Sequence, residues 1–553
     1  MGEAILYNKS VVADKQYNWN KAFNNEDFIS YVINATPIDY VGLEEFIPAY
    51  EYMDKRNFVT ISFPNCWMDI GSHAFDGCTK ISYANFSSQK FESYSVYTID
   101  EYAFRNCNRL ESIDLGIARH IKSHAFENLY NLLEFRNDQA PYPYQLLNIE
   151  DYAFANCEKL SVFNGYGYQY INSIGDYAFY NCGFSTLSSI GSSVCSKIGS
   201  HAFENCKSLS YVNNLNFSGM NSSILTEVGD YAFAGCSKLL TCNIYLQTIG
   251  SHAFDGCISL NTFSTGNVVP WCKKIGEYAF NRCSRLYSLN INPARSFNCQ
   301  LDDYAFTNCG DLYNVQIYEI SSLGKNLFDN TSIFTLALFG MSNNSDLYIP
   351  SNTFSNILNV SYLSLFSFFS ISSYAFQSLK LLSVLAIDTV YIGSHAFENC
   401  ETLYYFQANT SYSSGVYCGE YAFTGCTSLS TVTAGLNYVG SHAFDGCSNV
   451  KYIQGPQYIK YIGPYAFYNC SQLNAFYMIG PSCEYIGSHA FDGCSNISSI
   501  YLSLASSLPI LESIDAFDNI SNYTIYVLSD LYSDYINDPI WGLLSEHISV
   551  SSY

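Results

Sequence analysis

Charge is scarce in this chain: only 13% of its 553 residues are Asp, Glu, Lys or Arg, about half the share found in an average soluble domain. The 48 acidic residues outnumber the 25 basic ones, for a formal net charge of −23. No long-range attraction therefore draws a polyanion, and nucleic acid is set aside as a partner. Long apolar runs are also missing. The longest lies around Ile333 to Met341, short of the 18 or so residues that a membrane-spanning helix needs, so membrane insertion is not expected. The first thirty residues hold no basic stretch followed by an apolar one, so no secretion signal is read in the chain as it stands. Gly-x-Ser-x-Gly, Gly-x-x-x-x-Gly-Lys and His-Glu-x-x-His are all absent, and with them the hydrolase, phosphate-binding and zinc-protease signatures. Trp (4) and Met (6) are rare.

What is present is heavily biased: 48% apolar residues, with Tyr 50, Phe 39 and Cys 21. That rules out disorder and points to one small unit copied many times. The copy is Ile70-Gly-Ser-His-Ala-Phe-Asp-Gly-Cys78, which returns at Ile198, Ile249, Ile392, Val439 and Ile486, with a Tyr form at Ile99, Ile174, Val228 and Ile275. Counted by the central Phe, from Phe75 to Phe517, there are about 19 units of roughly 25 residues, a period in the leucine-rich repeat range. After each Cys, apolar residues fall at +3, +6 and +8, as in Leu110, Ile113 and Leu115 after Cys107. The last two are spaced for a strand. The Ala, Phe and Cys are spaced to point inward from a helical or 3₁₀ turn. One unit cannot bury these residues alone, whereas stacked units can.

These motifs resemble the BspA-type leucine-rich repeat family, whose Ile-Gly-x-x-Ala-Phe-x-x-Cys-x-x-Leu pattern runs through residues 57–520. The expected fold is a leucine-rich repeat solenoid, β-rich α/β or all-β, with a parallel sheet on the concave face and short helical, 3₁₀ or extended segments opposite. Residues 1–56 are expected to form an N-terminal cap or attachment segment, and residues 521–553 a C-terminal cap of a strand followed by a helical segment. The pattern is irregular at 323–370, where Leu327 and Thr353 replace Ala and the Cys is lost. A changed stacking or an excursion is expected there.

Seven of the nine His (His73, His124, His201, His252, His395, His442 and His489) occupy one repeat position, where other units carry Tyr. No two consecutive units both carry His, so ligands stand about 10 Å apart, too far for one ion. A packed or hydrogen-bonded His is expected, and neither a metal nor any other cofactor is read from the sequence. Fourteen Cys occupy the Ala-Phe-x-x-Cys position and are expected as buried free thiols. The other seven (Cys66, Cys195, Cys242, Cys272, Cys299, Cys418 and Cys483) are more open to pairing.

Positions +5 and +7 after the Cys flank the inward residue at +6 and should face outward. In the C-terminal half they carry Tyr405, Gln407, Tyr452, Gln454, Tyr477 and Tyr501. Tyr among amides makes either a solvated sheet or a recognition surface. These six are taken as the candidate binding site. The resemblance implies surface-exposed or secreted proteins of bacteria, and of mucosal protists, that bind host proteins or other cells. The expected function is a non-enzymatic protein-binding or adhesion module for a protein or cell-surface ligand. A bacteriophage or other large-assembly component and a glycan-binding surface protein are the alternatives.

Overall fold

The computed structural model describes residues 69–85, 98–115, 118–136, 146–164, 170–187, 195–213, 225–243, 246–264, 272–291, 298–341, 347–354, 356–379, 381–408, 415–454, 459–477, 483–502 and 507–551, with short pieces at 4–6, 11–12, 38–40, 46–47, 50, 53 and 59–62. It divides into two compact units, Met1–Leu286 and Tyr287–Tyr553.

In both units each repeat contributes one rung to a parallel sheet built from the residues after the Cys. Ser112–Asp114 pairs in parallel with Tyr83–Asn85 and Glu134–Arg136, and Tyr405–Ala408 with Val384–Ile387 and Thr431–Thr433. The pleat sorts side chains as the spacing demands: Ile113 and Leu115 are buried, whereas Ser112 and Asp114 are only partly covered. Leu286, Leu289 and Ile291 after Cys283, and Leu312, Val315 and Ile317 after Cys309, repeat this inward set.

The Ile-Gly step, expected only as a short extended segment, forms a second parallel sheet of its own. Thr98–Ile99, His120–Ile121 and Leu146–Ile149 are successive rungs in the first unit. Tyr391–Ile392, Val416–Cys418, Leu436–Val439 and Tyr461–Ile462 are rungs in the second. Glycine follows because the rungs come so close: a Cβ on Gly250 would lie 2.5 Å from the carbonyl carbon of Gly229.

The Ala-Phe-x-x-Cys segment departs from the expected helical or 3₁₀ turn. Within it, Ala74, Asp76 and Cys78 donate N–H groups back three residues, to Gly71, His73 and Phe75. The alternate residues His73, Phe75 and Gly77 donate instead to Glu101, Ala103 and Arg105 of the next repeat, at 2.9, 2.7 and 2.8 Å. A regular helix would keep all of these bonds within one turn. The left-handed residues His73 (φ 55°) and Gly77 (φ 74°) turn alternate peptides outward. Among the described repeats, 3₁₀ geometry replaces this only in the last, at Ile514–Phe517.

Every Phe of the column, from Phe75 to Phe517, is buried. In the first unit successive rings stack at 4.9 to 5.4 Å. Across the irregular region the step from Phe328 to Phe354 widens to 6.2 Å before returning to 4.8 Å at Phe376. Thr353, standing where Ala is usual, is buried and donates its hydroxyl to the Pro350 carbonyl at 2.9 Å. The array is therefore reshaped at the residues where its motif changes.

All Cys except Cys66, which lies outside the described residues, are buried free thiols, including the six non-column ones that seemed open to pairing. Each is an inward residue. Column thiols donate to the Phe carbonyl of the repeat before, as from Cys107 to Phe75 at 3.1 Å and from Cys447 to Phe423 at 3.0 Å. Burial pushes the Cys206, Cys400 and Cys494 thiols up to about 12.

At the start of the chain, Ile38–Tyr40 pairs in parallel with Thr60–Ser62, while Ala4–Leu6 crosses Ile38–Tyr40 antiparallel. At the other end Ile548–Val550 closes the first sheet against Thr524–Val527. The helix Tyr532–Asn537 and the turn Trp541–His547 bury Tyr535 and Trp541, and the Trp541 indole N–H donates to the Pro509 carbonyl at 2.8 Å.

Two outcomes follow. Phe254→Ala removes a fully buried ring and is expected to cost about 3 to 5 kcal/mol. Ile258→Ser, on an exposed corner of the same repeat, should change stability by less than about 0.5 kcal/mol; chemical denaturation of the two variants checks the register. Iodoacetamide labelling of native protein should leave every described Cys unmodified and reach them all only after denaturation, as read by peptide mass spectrometry, because burial keeps them in the unreactive thiol form.

Candidate binding surface

The repeated His position was the strongest chemical signal in the sequence, and the structure commits it to the scaffold. In the first unit Tyr50, His73, Tyr102, His124 and Tyr152 form one stack with ring centroids 4.6 to 4.7 Å apart. Tyr374, His395, Tyr421, His442 and Tyr465 form another in the second unit at 4.6 to 4.9 Å. All of these residues have φ of 55° to 63°, in the left-handed region, which costs a bulky side chain about 1 to 2 kcal/mol. A stacked aromatic pair returns about 0.5 to 1.5 kcal/mol and an inter-repeat backbone bond about 1 kcal/mol more. Together these hold the strained turn in place.

Each of the seven His also faces a carboxylate three residues on: Nδ1 lies 2.8 Å from Asp76, 2.9 Å from Asp255 and 2.8 Å from Asp445 in three of the pairs. A carboxylate only accepts, so Nδ1 carries the proton. Six of the seven have both ring faces stacked, and His489 stacks on Tyr465 and has Asp515 at Nε2; with Nδ1 bonded to Asp or Glu, the imidazole is a structural member of the column. Among the described residues no group of three or more His, Cys, Asp or Glu is placed to hold a metal ion. The pairing was visible in the sequence as an acid three residues after every column His. Arg105, Ala155 and Asn281 stand there after Tyr.

The buried Asp255 serves further donors: it also accepts from Arg282 at 2.9 Å and from Asn281 at 3.0 Å. Asp255→Ala should cost about 1 to 3 kcal/mol by leaving these donors without an acceptor. The exposed Asp388, changed to Ala, should cost close to nothing, and thermal melts of both variants make the comparison.

The predicted binding residues lie on rungs of the first sheet, in the second unit. Tyr405 and Gln407 sit on Tyr405–Ala408, with the Tyr405 hydroxyl donating to Gln407 Oε1 at 2.9 Å. Tyr452 and Gln454 begin and end Tyr452–Gln454, and Tyr452 is 50% exposed. Register places Tyr405 two rungs from Tyr452, and Gln407 two from Gln454, with Thr431 and Thr433 between. The side chains of Gln454 and Tyr477 lie outside the described residues. Tyr501 belongs to a different run of strands, beside Tyr477, and stacks on Tyr526 at 4.8 Å. The set thus resolves into a pair of coupled rungs at 405 and 452 and a separate group at 477 and 501.

Two aromatic arrangements escaped the sequence reading. On the second sheet Tyr391, Tyr417, Tyr438, Tyr461 and Tyr485 stack at 4.4 to 4.9 Å. Burial, followed by the neighbouring Tyr417, pushes the Tyr438 phenol up to about 12. The last member donates its hydroxyl to Glu512 at 2.6 Å. A Tyr just before the Ile, Val or Cys in repeat after repeat was the available signal. On the first sheet, at and within the irregular region, Tyr318, Phe339 and Phe366 stack at 4.3 and 4.9 Å. Tyr287, Tyr313 and Phe334 stack at 5.5 and 5.1 Å, with Tyr362 edge-on to Phe334.

A family model described as a BspA-type leucine-rich repeat region, in six copies, matches residues 21–164, 137–219, 212–333, 297–404 and 391–524. No curated protein matches the sequence. Among solved structures, a leucine-rich repeat protein from Bacteroides ovatus is 17% identical, with 95% of this chain and 96% of that chain covered and a TM-score of 0.26. A leucine-rich cell surface protein from Faecalibacterium prausnitzii is 18% identical, with 68% and 86% covered and a TM-score of 0.26. The pneumococcal vaccine antigen PcpA is 15% identical, with 79% and 85% covered and a TM-score of 0.26. No described helix is long and apolar enough to cross a membrane.

Proposed function

Because the chain belongs to the BspA-type leucine-rich repeat family, we propose that it is a non-enzymatic protein-binding or adhesion module, working at a cell surface or outside the cell. Its contact surface is the outward face of the first sheet in the second unit. One observation carries this reading: that face presents large aromatic side chains which the fold does not need. Tyr452 is about half exposed and Tyr405 is partly so, and the same sheet elsewhere accepts Ser112, Asp114, Glu134 and Arg136 at its outward positions. Rigid aromatics give large contact area for little lost freedom, and binding energy concentrates on them. The Tyr405–Gln407 hydrogen bond supports the reading by fixing one of these rings before a partner arrives. A glycan is less well served where rings stack on one another, as Tyr501 does on Tyr526, because the faces a sugar would cover are already taken.

Capture from extracellular matrix and whole cells provides the partner. The variant Tyr405→Ser, Tyr452→Ser, Tyr477→Ser, Tyr501→Ser should then bind it at least about tenfold more weakly by surface plasmon resonance. Its circular dichroism and melting temperature should stay near those of the parent. Unchanged affinity would move the site off these rungs.

A further inference from the structure

The irregular stretch of the second unit carries a surface unlike the rest. Asn314–Ser322, Thr335–Gly340 and Tyr362–Phe366 are adjacent parallel strands, longer than the usual three-residue rung. Register aligns Gln316, Ala337 and Ser364 in one outward row, and these form a small, neutral floor. Along one side runs the Tyr318, Phe339, Phe366 stack. Along the other run Tyr313, Phe334 and Tyr362. Tyr362 is 64% exposed and Phe366 47%. None of these nine positions is charged. Glu319 follows Tyr318 at the register shift with φ 54°, outside the rows, and the exposed Asp388 holds the repeat position of Phe366 just past the following strand. Most outward positions of this sheet are neutral, with Asp114, Glu134 and Arg136 the charged exceptions, so the paired aromatic rows rather than neutrality set this patch apart. Two of its three strands follow the repeats that gave up Cys and Ala.

Size and charge together select the occupant. The two aromatic rows are four to five residues apart, about 13 to 16 Å, and three strands span about 10 Å. The patch is therefore on the order of 160 Å² at most, about a fifth of the 800 Å² per partner that a stable protein interface buries. A second copy of the chain would need far more surface than this. A carboxylate on the occupant would meet a chain of net charge −23, and an ammonium would lose water with no acid in the rows to receive it. We propose that this patch binds a short, uncharged, extended segment of another protein, rich in aliphatic or aromatic side chains, held between the two aromatic rows. The proposal rests on the protein-binding reading above and adds the site and the chemistry of the bound segment.

The test pans a phage-displayed library of random heptapeptides on the full chain and measures the selected peptides, as synthetic peptides, by isothermal titration calorimetry. An uncharged apolar consensus is expected, with affinity falling about tenfold in Phe339→Ser/Phe366→Ser. The milder Tyr362→Ser, at the most exposed ring, serves if the double variant does not fold. Tyr405→Ser/Tyr452→Ser should bind the peptides as the parent does. A charged consensus, or equal binding to Tyr362→Ser and the parent, overturns the proposal. So does a concentration-dependent dimer in sedimentation velocity that these same variants abolish, since the occupant would then be a second copy. Peptides that bind here while no protein or cell binds the chain would leave the patch standing and remove the wider reading. The reverse result removes the patch alone.

Discussion

No repeat of this protein can satisfy its own backbone. On both sheets and along the turn between them, N–H groups reach for carbonyls one repeat away, as His73, Phe75 and Gly77 do for Glu101, Ala103 and Arg105. A repeat removed from its neighbours would expose all of these groups at once. The inward Phe, Cys, Ile and Leu fill the space these ladders enclose, and their stacking distances follow the ladder spacing. Packing strengthens an arrangement that backbone hydrogen bonding first requires. Stability is accordingly shared between neighbours, in the manner of a one-dimensional array.

Much of this was legible because the motif is nearly invariant. Phe, Ala and Cys recur at fixed offsets, so their inward direction could be read without structure, and the alternation after each Cys placed Ile113 and Leu115 inside and Asp114 outside. The second sheet was harder to see, since a rung of two residues such as Thr98–Ile99 is too short to show a period of two. The turn misled for a different reason. Tyr and His are poor residues for positive φ, so spacing alone favours a right-handed helical turn. The tertiary stack and the inter-repeat bonds overrule that local preference. The aromatic rows at 318–366 lie where the motif fails, and a reading organised by the motif looks away from such places.

Inside and outside are consequently under different constraints. Inward positions are held by identity with their copies above and below, and even the changed residues Leu327 and Thr353 remain buried. Outward positions answer to no such rule. Charged in one stretch and aromatic in another, they let a uniform scaffold carry several distinct surfaces. The Tyr405–Tyr452 rungs, the tyrosine stack ending at Glu512 and the neutral patch on the irregular strands are three such surfaces in the second unit.

The buried thiols bear on how long the protein lasts. While folded, each sits in the neutral form behind its own repeat, and an oxidant finds nothing to attack. Once a molecule opens, many cysteines meet at high effective concentration, and exchange among them can produce cross-links that match no native contact. Return to the folded state is then blocked. Working lifetime in an oxidising medium is therefore governed by the rate of opening rather than by the equilibrium between open and closed forms. Where the described turns are hydrogen-bonded to the next repeat, as at His73, Phe75 and Gly77, opening one repeat breaks bonds in its neighbour and is expected to be slow.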